Sequence, residues 1–228
     1  MMARRKQTRG KCVFCGREMT KEGLSKHLRT CPQRKEAIGK ANQESGQEQT
    51  LYHLQVQDAW WGEFWLHLEM KGSATLEHLD HYLRAIWLEC CGHLSRFSIG
   101  GWGGDEISMR RRVEQVFSPG LELTHIYDFG TSSETSIKAV DLRKGKLLTP
   151  HPIFLMARNE KPVVECVECG KPASWLCMEC VYELDEPGTF CDEHIEEHPH
   201  DDYGGPIPLV NSPRVGLCGY DGPADPPY

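Results

Sequence analysis

Cysteine and histidine side chains near the amino terminus recur at spacings that suit a shared metal ion. Cys12 and Cys15 are separated by two residues, and His27 and Cys31 by three. A two-residue gap lets one tight turn aim both thiolates at the same ion, and residues four apart on a helix share a face. The pattern predicts a compact structural zinc site with four ligands: Cys12, Cys15, His27 and Cys31.

A second group of potential ligands occupies about 35 residues near the carboxy terminus, at spacings that are typical of zinc modules. Its members are Cys166, Cys169, Cys177, Cys180, Cys191, His194, His198 and His200. Eight ligands make two tetrahedral sites, and the seven-residue spacer after Cys169 is short for four consecutive ligands to surround one ion. Interleaved pairs are therefore favoured, and about three Zn²⁺ ions are expected in the whole chain.

Both groups resemble known zinc modules. The first is similar to a Cys-Cys-His-Cys variant of the ββα finger, with Met19 and Leu24 as its apolar side chains. The second resembles RING and, more closely, B-box cross-braces, because histidines close the pattern, and Trp175 is expected as its core residue. This resemblance implies one site of Cys166, Cys169, Cys191 and His194, and another of Cys177, Cys180, His198 and His200. Cys218 could replace either of the last two histidines. Saturated ligation favours a structural role, since catalytic zinc needs an open position and a nearby base.

Charge is distributed unevenly along the 228 residues. Residues 1–40 carry 12 Lys/Arg and 3 Asp/Glu, a balance of +9, whereas the remainder carries 14 and 30, a balance of −16, for a net −7. A basic segment on an acidic body indicates an anionic partner, and a solvated tail or a protein contact are the alternatives. Phosphate contacts are expected from Arg4, Arg5, Lys6, Lys21, Lys26, Arg29, Arg34 and Lys35. One finger offers little base discrimination, so weak, nonspecific binding to nucleic acid is expected.

The apolar runs are short of the roughly 20 residues that a bilayer span needs, and no membrane partner is expected. The basic residues 1–6 lack the apolar stretch of a signal peptide. Cysteines that serve as metal ligands also suit a reducing compartment, so a cytoplasmic location is expected.

Composition divides the chain into four segments: a basic finger arm at 1–35, a polar linker at 36–49, a globular domain at 50–160 and an acidic zinc-binding tail at 161–228. Alternating apolar residues predict strands at 51–56, 64–70, 93–99, 121–129 and 135–142. Helical spacing from Leu76 to Cys90 predicts a helix capped by Ser73 or Thr75, and a short helix is expected at 110–117. This order predicts an α+β fold with a compact, mixed, β-grasp-like sheet.

Four motifs in the middle segment occur in an order that resembles the plasmid pRiA4b ORF-three-like family. They are Trp65-Leu66-His67-Leu68-Glu69, Thr75-Leu76-Glu77-His78-Leu79, His93-Leu94-Ser95-Arg96-Phe97 and Tyr127-Asp128-Phe129-Gly130. The resemblance spans about residues 50–145 and implies a compact α+β domain of bacterial or archaeal origin, frequently plasmid-borne. This chain has Thr131-Ser132-Ser133 where the family usually has an aspartate and a tryptophan.

No catalytic residue is assigned. His93, His125 and Asp128 could form an acid–base group, but a strand histidine beside a turn aspartate is more often structural. Cys90 and Cys91 are expected in the core, because no basic neighbour in the sequence would lower a thiol pKa. The favoured function is a non-enzymatic zinc-binding adaptor that contacts nucleic acid through the finger and protein through the rest. The alternative is a hydrolase or nuclease around the acid–base group.

Overall fold

The computed structural model describes residues 7–228. Strands between residues 9 and 159 form one antiparallel sheet. Its strands are β1 (Arg9–Cys12), β2 (Glu18–Thr20), β3 (Gln49–Asp58), β4 (Trp65–Lys71), β5 (Ser95–Ile99), β6 (Asp105–Ile107), β7 (Glu122–Tyr127), β8 (Ser133–Gly145) and β9 (Ile153–Asn159). Within residues 7–228 their spatial order is β2-β1-β9-β4-β3-β8-β7-β5-β6.

Helices and a second, small sheet complete the fold. The helices described within residues 7–228 are α1 (Lys21–Thr30), α2 (Pro32–Gln43), α3 (Leu76–Leu83), α4 (Val113–Val116), α5 (Met178–Tyr182) and α6 (Asp192–Glu196). The small sheet has the order β11-β10-β12, with β10 (Trp175–Leu176), β11 (Thr189–Phe190) and β12 (Ile207–Pro208).

The main elements of the middle segment agree with the sequence periodicity. Strands β3, β4, β5, β7 and β8 overlap the predicted ranges, and Thr75 stands at the N-cap of α3. Leu76, Leu79 and Leu83 are fully buried, as their spacing on one helical face requires. The helix at 110–117 shortens to α4, four residues long.

The predicted β-grasp-like arrangement is not confirmed. Each strand pairing in residues 7–228 is antiparallel, so the sheet is not mixed. The physical reason lies in the connections: β3–β4 and β7–β8 are hairpins joined by short loops, and such loops connect only antiparallel neighbours.

The amino-terminal segment is integrated with the sheet, contrary to the expected arm and linker. Strand β1 pairs with β9 at 10–12, and the predicted polar linker is helical as far as Gln43 in α2. Pro32 occupies the first turn of α2, where its missing N–H costs no hydrogen bond. The helix is held by Arg34, a side chain that reaches the central strands.

A buried carboxylate joins three parts of the fold. Glu69 on β4 accepts hydrogen bonds from Arg34 Nη2 at 2.6 Å and from Arg143 Nε and Nη2 at 2.8 and 2.6 Å. Arg34 Nη1 also donates to the carbonyl of Leu28 at the end of α1, 2.7 Å away. Arg143 contacts both carboxylate oxygens, whereas Arg34 divides its donors between Glu69 and Leu28, so Glu69 connects α1, α2 and β8 to the middle of the sheet.

Two buried histidines form a second connection between the finger and the sheet. His53 and His67 approach at 2.8 Å (Nε2 to Nδ1), and His67 Nε2 lies 3.0 Å from the carbonyl of Lys21. The carbonyl can only accept, so His67 Nε2 carries the proton and Nδ1 accepts from His53. Burial lowers the pKa of His67 to about 4 and that of His53 well below its usual value. Both rings are therefore neutral in the folded protein.

Replacing Glu69 with Gln should lower the free energy of unfolding by about 3 kcal/mol, because the buried Arg34 and the half-buried Arg143 lose their counter-charge while the side-chain volume stays the same. Urea denaturation at neutral pH measures the change. Glu18→Gln is the matched control, since it breaks the solvent-exposed pair with Arg9 and should cost less than about 1 kcal/mol. Equal midpoints for the two variants would contradict the structural role of Glu69.

Acid should weaken the fold through His67. In the unfolded chain the imidazole binds a proton below pH about 6.5, whereas the folded state resists protonation until pH about 4. Stability is thus retained above pH 6.5 and lost as pH falls through this window, by about 2 kcal/mol between pH 7 and 5. Urea titrations of wild type and His67→Gln at both pH values test this: the variant should lack that share of the decline. An identical decline in both proteins would show that His67 contributes none of it.

Candidate metal centres

The predicted finger ligands meet in one cluster. The β1–β2 hairpin supplies Cys12 and Cys15, α1 supplies His27, and Cys31 follows at the junction with α2. Cys15 Sγ lies 3.2 Å from His27 Nε2, and all four ligand atoms lie within 4.8 Å of one another. In tetrahedral zinc sites the S···S and S···N edges are roughly 3.8 and 3.5 Å, so the cluster has the size that Zn²⁺ requires.

The finger completes its small core with residues of the central sheet. Leu24 and Leu28 of α1 are buried against Trp65 and Met156, with Met19 partly buried beside them. Burial raises the pKa of the Cys12 thiol to about 11. A thiol in this environment stays protonated unless a cation replaces the proton, so metal binding and closure of this core are coupled.

The carboxy-terminal ligands also assemble, in two interleaved sets. One set contains Cys166, Cys169, Cys191 and His194, and the other contains Cys177, Cys180, His198 and His200. These are the two groups that the cross-brace resemblance implies. Cys191 Sγ lies 3.3 Å from His194 Nδ1 and 3.9 Å from Cys169 Sγ. Cys180 Sγ lies 3.3 Å from His198 Nε2 and 3.2 Å from His200 Nδ1.

Backbone geometry prepares the first of these sets for a cation. Burial opposes ionisation of Cys166, but backbone N–H groups that include those of Cys191, Glu168 and Cys169 donate to its sulfur and lower the pKa of the thiol to about 6. A thiolate is thus available near neutral pH. The expected plug Trp175 is only half-buried and donates from Nε1 to Asp192 at 2.8 Å. Phe190 fills the core instead, because it stands between the ligand pairs on β11.

A further cluster joins residues that the sequence patterns did not connect: Cys90, Cys91, His93 and Cys218. Cys218 therefore does not replace a late histidine. Cys90 is half-buried and Cys91 is exposed, so the pair is not core, and a basic neighbour is present: Arg214 donates to Cys90 Sγ. Burial opposes ionisation of Cys90, but this hydrogen bond leaves the pKa of its thiol below the usual value. The sequence signal for this cluster was the run Cys90-Cys91-Gly92-His93, together with Cys218, which had no assigned site.

The candidate acid–base group does not assemble as a unit. His93 Nε2 lies 3.6 Å from Asp128 Oδ2, but His125 pairs at 2.7 Å with Asp80, which also accepts from Ser95. His125 is fully buried. A general base must reach the substrate proton, so this histidine has the position of a structural residue.

The basic residues of the finger divide by exposure. Lys26 on α1 and Lys35 on α2 are exposed and have no ion-pair partner among residues 7–228. Arg29 pairs with Asp141, and Lys21 is half-buried and donates to Gln57. Arg34 is not a surface residue, because its guanidinium is buried against Glu69. The predicted contacts Arg4, Arg5 and Lys6 lie outside the described residues.

Comparisons with known proteins leave the chain without a family assignment. No protein-family model matches it, and no curated protein matches it. A solved structure, the protein of unknown function MM3350 from Methanosarcina mazei Go1, aligns at 17% identity with a TM-score of 0.39. The alignment covers 45% of this chain and 66% of that one. The pRiA4b ORF-three-like resemblance stays a prediction. Within residues 7–228, no helix has the length and apolarity to cross a membrane.

Cys31→Ser should remove one metal equivalent per chain, because Cys31 Sγ is one of four ligand atoms in the finger cluster. Elemental analysis of the purified full chain measures the loss. Ser25→Ala, on the same helix α1, is the matched control and should retain the wild-type metal content. Unchanged metal in the Cys31 variant would exclude the finger cluster as a metal site.

Proposed function

We propose that this protein is a non-enzymatic zinc-binding adaptor whose two ends are shaped by structural Zn²⁺. The observation that carries the proposal is the completeness of the three predicted ligand sets. Each set already brings four Cys or His ligand atoms within 4.8 Å of one another. A four-ligand set saturates tetrahedral zinc, whereas catalytic sites keep one position for water or substrate.

The surroundings of the ligands support metal binding. His200 directs Nδ1 toward Cys180 Sγ at 3.2 Å, while its Nε2 lies 3.8 Å from a carboxylate oxygen of Glu179. A carboxylate behind a ligating histidine orients the ring and raises its basicity. The alternative, a hydrolase or nuclease site around His93, His125 and Asp128, lacks comparable support, since His125 pairs with Asp80.

The finger offers a limited basic surface for an anionic partner. Lys26 and Lys35 stand out from α1 and α2, and Lys40, also on α2, pairs with Glu36. Lysines of this kind contact phosphates as point charges and carry no base specificity. The excess of acidic residues beyond residue 40 repels the same phosphates. Weak, salt-sensitive binding of nucleic acid without sequence preference is the function proposed for this surface.

Lys26→Glu/Lys35→Glu should weaken binding of the full chain to nucleic acid of any sequence. Losing two phosphate contacts reduces the slope of log affinity against log salt by about two. Fluorescence-anisotropy titrations on two unrelated duplexes and one single strand, at two salt concentrations, measure the slope. Lys138→Glu is the matched control, an exposed lysine on β8 with the same charge change per substitution.

Two results would overturn this part of the proposal. Wild-type protein without affinity even at low salt would make the finger a protein-contact module. Equal losses in the double variant and in Lys138→Glu, corrected for the number of charges, would show that net charge and not the finger surface governs binding.

A turnover activity in the zinc-loaded protein, abolished by Asp128→Ala without loss of folding, would contradict the non-enzymatic assignment.

A further inference from the structure

Within residues 7–228, every one of the eleven cysteines lies in one of four Cys/His clusters. Three clusters follow from local spacing, and the fourth joins Cys90, Cys91 and His93 to Cys218, 125 residues beyond His93. We propose that this fourth cluster is a Cys₃His zinc site that fastens the C-terminal segment, residues 209–220, onto the central domain.

The ligand atoms have the separations of a tetrahedral site. Cys218 Sγ lies 3.4 Å from Cys91 Sγ and 3.4 Å from His93 Nε2, and all four ligand atoms lie within 4.8 Å of one another. The corresponding distance between Cys15 and His27 in the finger is 3.2 Å. The two exposed sulfurs are not covalently bonded, and all eleven cysteines are free.

The backbone around the first three ligands brings them to one point. Helix α3 runs into a π-helical turn, Arg84–Leu88, closed by a hydrogen bond from Glu89 N to the carbonyl of Arg84 at 2.8 Å. Single π-turns of this kind are frequent at functional sites. Gly92 then adopts a φ of 71°, and its N–H donates to Glu89 Oε1 at 2.6 Å. This bend leaves His93 in the same cluster as the two cysteines.

The fourth ligand is held in a conformation that cysteine rarely adopts. Cys218 has φ 53° and ψ 33°, in the left-handed region. Side chains other than Gly, Asn or Asp are strained there, and such a conformation persists where the surroundings fix it. The conformation places the Cys218 sulfur beside Cys91 and His93. Metal ligation by this sulfur would offset the backbone strain.

A buried cation supports the thiolate form of the cluster. Arg214 is fully buried and donates to Cys90 Sγ from Nε and Nη2, each at 3.4 Å. Its charge is also balanced by Asp128 at 2.7 Å. Zn²⁺ binding would release the thiol protons to solvent and leave three thiolates on the ion, one of them already stabilised by this guanidinium.

The position of the cluster defines what the ion would do. Ser212 Oγ donates to the carbonyl of Trp87 at 2.6 Å in the central domain, while Tyr182 OH of the zinc-binding tail donates to the carbonyl of Gly216 at 3.1 Å. The segment thus bridges the two units, and the site would clamp it. Cys91 and Cys218 are exposed, whereas Cys12, Cys31, Cys177 and Cys180 are buried. The fourth ion should therefore exchange faster than ions at these buried ligands.

The test is the difference in zinc content between full-length wild type and Cys91→Ser/Cys218→Ser. The inference shares only the identity of the metal with the proposed function, so a difference of one ion is diagnostic whatever the total. Elemental analysis after zinc saturation should give one ion fewer in the double variant. Leu94→Ser, an exposed neighbour of His93, is the matched control and should keep the wild-type content.

A second measurement on wild type covers the case in which the variant fails to fold. Zinc saturation should slow alkylation of Cys91 and Cys218 by about tenfold or more relative to protein treated with a mild chelator, since ligated thiolates are protected. Mass spectrometry identifies the modified residues. Unprotected Cys91 and Cys218 in zinc-saturated protein would overturn the proposal. So would a disulfide-linked peptide containing both residues in protein purified without oxidant.

Discussion

The clustering of cysteine and histidine side chains is the constraint on which the finger and the C-terminal cysteine-rich region depend, because neither has a large apolar core of its own. The core of the zinc-binding tail consists of Cys166, Cys177, Cys180 and Cys191 around a single aromatic ring, Phe190. Units of this size are stable only with a metal or another cross-link. These cysteines are therefore both candidate ligands and most of the core.

The finger solves the same problem differently, by sharing a core with the central sheet. Its apolar side chains contact Trp65 and Met156, its strand β1 extends the sheet, and the carbonyl of Lys21 accepts from His67. Glu69 then neutralises Arg34. The finger is consequently a fixed part of the domain, and the outer faces of α1 and α2 carry the exposed Lys26 and Lys35.

The C-terminal segment, residues 209–220, contacts the central domain through polar side chains. Arg214 reaches into the central domain and bonds Asp128, Ser133 and Cys90, while Asn211 pairs with Asn159 on β9. A buried guanidinium needs several acceptors to offset its desolvation, and this one finds them on loops that meet only in the folded state. Asp128, a candidate catalytic residue from the sequence, has the role of its counter-ion.

Local pattern by itself determined a large part of this protein. The spacing of cysteines and histidines predicted the finger set and favoured interleaved pairs near the carboxy terminus, which the cross-brace resemblance divided into two sets. The alternation along β3 and β4 and the helical spacing of α3 identified the core elements. Each of these signals is encoded by residues close in the chain, where secondary structure alone fixes which side chains share a face. The prediction of a linker at residues 36–43 was wrong, because a polar composition is typical of an exposed helix as well as of a linker.

Only the tertiary structure decided the rest, since it depends on residues far apart in sequence. The contacts of Arg34 with Glu69 and of His125 with Asp80 span 35 and 45 residues, and the sheet order depends on distant pairings such as that of β1 with β9. Cys218 could not be assigned to Cys91, 127 residues away, because every nearer ligand offered an equally plausible partner. Folding brings such side chains together through the packing of the whole sheet. The local periodicity of apolar residues in the sequence therefore cannot predict these contacts.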